Sequence, residues 1–175
     1  MNERIQIIKQ KIKMFNKPFI YCNMVGGQDE LIFDGSSLAF DRDGQIIAAS
    51  RSFIEETIIV DYSKKINKFS IRKQSEEEQL YKALCLGVKD YFLKTGHEEA
   101  VIGLSGGIDS ALVSCIAAES LGSSNVHTIS LPSKFSSDHS IEDAQSLADN
   151  LNIDHKIIKI NELIDTMEDT LDFLF

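Results

Sequence analysis

At 175 residues, 43% of them hydrophobic, the chain has room for one globular domain or slightly more. An apolar run of about 18 residues is missing, which excludes a helical membrane span, and the charged start Met1-Asn2-Glu3-Arg4 predicts no secretory signal. Net charge is −9 but unevenly shared: residues 1–73 hold 12 Lys and Arg against 9 Asp and Glu, the remainder 6 against 18. An acidic second half repels a phosphate backbone, which argues against nucleic acid as a partner, and the change of sign points to two structural units meeting near residue 73. Cys22, Cys85 and Cys115 lie far apart, with no Cys-x-x-Cys and no paired histidines. That pattern argues against a zinc site or disulfide framework and for the cytoplasm.

In chain order, Ile5, Ile8, Ile12 and Phe15 fall at helical spacing over about Glu3 to Met14, and Pro18 ends that helix. Phe19 to Val25 predicts a strand and Gly26-Gly27 a turn. Leu31-Ile32-Phe33 and Ser37-Leu38-Ala39-Phe40 predict short strands around Asp34-Gly35. Asp43-Gly44 suits a hairpin turn before Ile46 to Ala49, and Thr57 to Val60 predicts one more strand. Ser63 to Lys73 is basic without an aromatic ladder, and reads as a solvated connector rather than an RNA surface.

The second half alternates strand and helix, the pattern of a parallel sheet with covering helices. Ser75 to Glu78 spells a capping box, Leu80, Leu84, Val88, Tyr91 and Phe92 form an apolar stripe, and Gly96 stops the helix. Strands follow at Ala100–Leu104, Val126–Leu131 and Lys156–Ile160. Helices are expected from about Asp109 to Leu121, after Ser140 as cap, and after Asn161 as cap. Val101, Ile129 and Ile158 are the expected centre of this core.

The chemistry lies in Gly103-Leu104-Ser105-Gly106-Gly107-Ile108-Asp109-Ser110, between the first of these strands and its helix. Gly106 and Gly107 have no Cβ, so the backbone can turn sharply and approach an anion. The N–H groups opening the helix lack intrahelical partners, and the helix dipole adds positive charge there. Ser105 and Ser110 offer hydroxyls. Asp109 suits phosphate only with Mg²⁺, which binds one or two carboxylates together with phosphate oxygens. Neither Gly-x-x-x-x-Gly-Lys-Ser/Thr nor Gly-x-Gly-x-x-Gly is present, which sets aside P-loop kinases and GTPases and dinucleotide redox enzymes.

Ser105 to Ser110 resembles the loop of the ATP pyrophosphatases. Tyr91 to Gly96 upstream, Gly103-Leu104, Ala111-Leu112, Leu131-Pro132-Ser133-Lys134-Phe135-Ser136-Ser137, Ser140 and Asp143-Ala144 narrow the resemblance. Together they are similar to the two-domain, glutamine-dependent NAD synthetases. Tyr21 to Ser37 resembles the late part of that family's nitrilase-like glutaminase domain. The resemblance implies an α/β chain with two parts. Residues 1–62 would be the C-terminal part of a nitrilase-like sandwich and 63–74 a linker. Residues 75–175 would be the first half of a doubly wound, parallel-sheet ATP pyrophosphatase (adenine nucleotide alpha hydrolase-like) domain. On this reading the chain is an internal fragment.

The resemblance also implies the chemistry. ATP and deamido-NAD would bind, the nicotinate carboxylate would be adenylated with release of pyrophosphate, and glutamine-derived ammonia would displace AMP. Gly103 to Ser110 would hold phosphates, Asp109 the Mg²⁺, and Leu131 the adenine side. The longer enzyme would be a homo-oligomer. The glutaminase Glu, Lys and Cys of such enzymes lie outside the chain, so no catalytic residue is assigned. Cys22, Cys85 and Cys115 read as packing residues, the four histidines as surface or strand-edge residues, and Asp29-Glu30 as structural or bordering a glutamine pocket. Two alternatives stay open: another amidotransferase-type ATP pyrophosphatase, and an ATP-binding protein without turnover.

Overall fold

The computed structural model describes residues 2–62 and 74–172. The chain divides into two compact units, Met1–Asp90 and Tyr91–Phe175. The basic connector at 63–73 lies outside the described residues.

The first unit starts with α1 (Asn2–Phe15), which carries its isoleucine stripe against a small sheet. That sheet has the antiparallel order β1-β4-β5, from β1 (Phe19–Tyr21), β4 (Leu38–Phe40) and β5 (Ile46–Ala49). Ile8 and Ile12 are buried with Leu38 and Phe40, so the spacing of the isoleucines builds this core. Between β1 and β4 lies a separate hairpin of β2 (Val25–Gln28) and β3 (Leu31–Asp34), in register Gly26 opposite Phe33. Arg4 ties α1 to the end of β3 through two contacts with Asp34, at 2.9 and 3.3 Å.

Several expectations are corrected here. Gly26-Gly27 is not a turn but lies within β2; the turn falls on Asp29-Glu30, where Asp29 takes φ 51°. Gly26 is needed because it takes φ 133° and α2 (Glu76–Thr95) passes close by. A Cβ on Gly26 would lie 3.0 Å from an Asp90 carboxylate oxygen, and the Gly27 N–H donates to that carboxylate at 2.6 Å. Thr57 to Val60 forms no strand among the described residues, and Ile59 is 93% exposed: strand propensity without a neighbouring edge makes no ladder. Cys22 lies outside β1 and is exposed, so it is not a core residue, whereas Cys85 and Cys115 are half-buried on helices.

Ser75 caps α2 by accepting the Glu78 N–H at 3.1 Å, while the Glu78 carboxylate pairs with Lys82 at 2.7 Å. Glu77, hydrogen-bonded through the backbone at this helix start and to Ser75, is held below the ordinary carboxylate range. The helix ends at Gly96 (φ 73°), where the His97 N–H reaches back to the Phe92 carbonyl at 3.0 Å, the closure expected of a left-handed glycine. Its apolar stripe is not buried, however: Leu80 and Tyr91 are about three-fifths exposed.

The second unit is a parallel three-stranded sheet in the order β6-β7-β8, from β6 (Ala100–Gly103), β7 (Val126–Ser130) and β8 (Asp154–Ile157). Successive strands step in one direction, so two crossovers of the usual hand lay their helices on one face. These are α3 (Ile108–Leu121) and α4 (Asp138–Leu151), which pack on the sheet and on each other. The core is Leu104, Ala117, Val126, Ala144, Ala148 and Ile153. It is not centred on Val101, Ile129 and Ile158, since Val101 is 68% and Ile158 49% exposed. Side chains alternate along β7, and the face under the helices holds Val126, Thr128 and Ser130. The third strand begins two residues earlier than expected, at Asp154. The cap of α4 is Ser137 rather than Ser140: the Ser137 hydroxyl accepts the Ser140 N–H. The last helix, α5 (Asn161–Asp172), begins with Ile164 N–H bonded to the Ile160 carbonyl, so Asn161 is its first residue rather than its cap.

Candidate functional site

At the carboxyl end of β6 the chain turns directly into α3. Leu104, 1% exposed, anchors the turn: its N–H donates to the Ile129 carbonyl at 2.9 Å and its own carbonyl accepts the Ser130 hydroxyl at 2.5 Å. Ser105 and Ser110 then brace the loop from inside. The Ser110 hydroxyl donates to the Gly107 carbonyl at 2.9 Å and accepts the Ser105 N–H at 3.2 Å; the Ser105 oxygen accepts the Gly107 N–H at 3.3 Å. The two hydroxyls lie 3.1 Å apart. With the Ser110 proton given to Gly107, Ser105 must be the donor between them. Both hydroxyls therefore shape the loop instead of standing free as donors.

Gly106 takes φ 81°, and a Cβ there would fall 2.2 Å from the Ser140 carbonyl oxygen. The residue is glycine because the first turn of α4 lies against it, a constraint no local reading of the loop reveals. Gly107 is extended (φ −85°, ψ 157°) and gives α3 no side-chain cap. Consequently the N–H groups of Ile108, Asp109 and Ser110 have no acceptor among the described residues. Asp109 is exposed in that first turn, with no cation paired to it among the described residues. Gly103 has open space where a Cβ would be.

The second wall follows β7. Leu131 is 55% exposed, and its N–H has no acceptor among the described residues. Beyond buried Pro132, the Ser133 N–H donates to the Ser136 hydroxyl at 3.0 Å, and the Phe135 N–H to the Ser133 hydroxyl at 3.2 Å. Lys134 reaches α5, pairing with Glu168 at 2.6 Å and Asp165 at 3.3 Å. Those bonds, the Glu168 one foremost, push its ammonium above the usual lysine range. Ser140, at the start of α4, touches both walls, through Gly106 and through Ser137.

Sequence reasoning found the loop but missed Ser130, Ser137 and His155. Ser130 signals itself only weakly, as a polar residue at an inward position of a strand. His155 is no mere edge residue: its ring lies 2.9 Å from the Thr128 hydroxyl and 3.3 Å from that of Ser130. His127 fits the surface reading, between Glu99 and Asp154 at 3.7 and 3.3 Å. Asp29 and Glu30 are exposed in their hairpin turn.

Residues 80–173 match the family model described as NAD synthase. The chain belongs to the NAD synthase family. Among its relatives, the glutamine-dependent NAD(+) synthetase of Synechocystis sp. is 44% identical over 98% of this chain. That of Thermotoga maritima is 37% identical over 98%. The chain spans about a third of the length of these relatives, 32% and 36%. The structure of the glutamine-dependent NAD+ synthetase from Acinetobacter baumannii in complex with ADP matches 99% of this chain at TM-score 0.90 and 32% identity. The match covers 34% of that chain. An NH3-dependent NAD synthetase from Campylobacter jejuni matches 55% of this chain and 42% of its own, at TM-score 0.51 and 30% identity. The loop, its helix and the Leu131–Ser137 wall all fall within the residues of the NAD synthase match.

Proposed function

We propose that this chain is the ATP-handling part of a glutamine-dependent NAD(+) synthetase, joined to the last part of a glutaminase domain. The observation that carries the reading is the row of N–H groups at Ile108, Asp109 and Ser110 without a partner among the described residues, on a loop already folded by its own serines. A helix start of that kind favours phosphate. Residues 1–62 belong to the glutaminase side and 75–175 to the ATP pyrophosphatase side, with 63–74 as the connection.

Gly103 to Ser110 hold the phosphates of ATP, and Leu131, whose N–H at the end of β7 has no acceptor among the described residues, borders the adenine. Asp109 supplies a hard oxygen ligand beside the phosphate position, the donor type Mg²⁺ prefers. When bound, Mg²⁺ would neutralise charge on the phosphates and on the departing pyrophosphate. The substrate carboxylate of deamido-NAD attacks the α-phosphorus and pyrophosphate leaves. Glutamine-derived ammonia then attacks the activated carbonyl carbon and AMP leaves. The fixed loop amides contribute orientation and charge stabilisation without moving. The match over residues 80–173 favours this family over other ATP pyrophosphatases.

Calorimetric titration with Mg·ATP tests the reading. Wild type should bind, and Asp109→Asn should bind about tenfold or more weakly in Mg²⁺ because an amide oxygen is a poorer ligand. Without Mg²⁺ the difference should vanish. Equal affinities in Mg²⁺ would remove Asp109 from the metal site.

A further inference from the structure

Regular parallel pairing would continue past Gly103 with Leu131 N–H donating to the Leu104 carbonyl. That rung is absent among the described residues: Leu131 N–H has no acceptor, and the Leu104 carbonyl instead takes the Ser130 hydroxyl at 2.5 Å. On its other side β7 keeps pairing, with Ile158 N–H on the Ser130 carbonyl at 2.9 Å and Ile160 N–H on Pro132 at 3.2 Å. The sheet thus opens between β6 and β7 alone, at the root of the loop, and a side chain bridges the opening.

Ser130 is 5% exposed, so its hydroxyl has no water to fall back on. Its single proton goes to Leu104, so toward His155 it can only accept, from Nε2–H at 3.3 Å. The Thr128 hydroxyl has two acceptors in reach, Nδ1 at 2.9 Å and the Asp154 carbonyl at 3.1 Å; turned to the nearer, Nδ1, it matches the Nε2–H tautomer. His155 fixes the Ser130 rotor, and Ser130 fixes the carbonyl immediately before Ser105.

The geometry points to Ser130, oriented by His155, as a positioning residue. It sets the separation of β6 and β7, and through it the aim of the loop amides and the freedom of the Leu131 N–H. The inference rests on the proposed reading of the loop as a phosphate site, and goes beyond it by assigning the residue that shapes it.

The test uses the full chain with Ser130→Ala, Ser130→Thr and a matched control, Ser120→Ala. Ser120 also buries a hydroxyl bonded to a backbone carbonyl, that of Ile116 at 2.6 Å, but in the last turns of α3. Two quantities are read: Mg·ATP affinity, and amide exchange at Ser105 and Gly107 without nucleotide. Ser130→Ala should weaken Mg·ATP about 5- to 10-fold and speed that exchange by a similar factor. Ser130→Thr should restore both. Ser120→Ala should lower the melting temperature comparably and leave both unchanged. Loop exchange unaltered by Ser130→Ala, or altered as much by Ser120→Ala, overturns the assignment. Loop exchange altered by Ser130→Ala alone, in a protein whose wild type binds no Mg·ATP, would sink the phosphate reading while upholding the positioning role.

Discussion

The chain contains two Gly-Gly pairs, and they have opposite duties. Gly26-Gly27 lies in a strand, and the anion for its backbone is internal: the Asp90 carboxylate takes the Gly27 N–H at 2.6 Å. Gly106-Gly107 lies in a strand-to-helix loop, and the amides that follow it have no internal acceptor among the described residues. In the first place the protein supplies its own carboxylate; in the second it leaves the donors open. What separates them is not the dipeptide but whether a helix start with unpaired donors follows it.

The largest effect comes from the second pair. Gly106→Val places a branched Cβ against the Ser140 carbonyl and forces φ 81° on a residue that resists it. The cost should be on the order of 3 kcal/mol or more. It should show as a lowered melting transition even without ATP, since the clash is with the protein's own backbone. A valine variant that melts like wild type yet fails to bind ATP would mean that only the ligand needs the space. At the first pair, Asp90→Ala should cost about 1–3 kcal/mol by stripping the acceptor from the Gly27 N–H. Denaturant unfolding would measure it; a loss below about 0.3 kcal/mol would reduce the pair to a surface contact.

The same contrast marks what could be read from residues alone. The loop was legible because Ser, Gly, Gly, Asp and Ser cluster between an apolar strand and an apolar helix. Gly96 and Gly122 were legible as helix stops, and both take positive φ. The buried face of the parallel sheet was not legible, since its inward row on β7 is Val126, Thr128 and Ser130 while Val101 and Ile158 face outward. Buried hydroxyls that satisfy backbone carbonyls look, in a sequence, like surface residues. Gly26-Gly27 misled for a related reason: φ 133° and the approach of Asp90 exclude a side chain at Gly26, and nothing local announces that approach. Ser137, Ser140 and the serines between β7 and α4 all suit a cap, and only the geometry selects Ser137.

The central claim is that the amides of Ile108, Asp109 and Ser110 await an external anion while that of Gly27 already has an internal one. Backbone amide resonances of the chain, followed as Mg·ATP is added, test it directly. The account predicts that the amides of Ile108, Asp109 and Ser110 shift and become protected from exchange, saturating together, while Gly27 stays where it is. Saturable binding that leaves those three amides unmoved would contradict it.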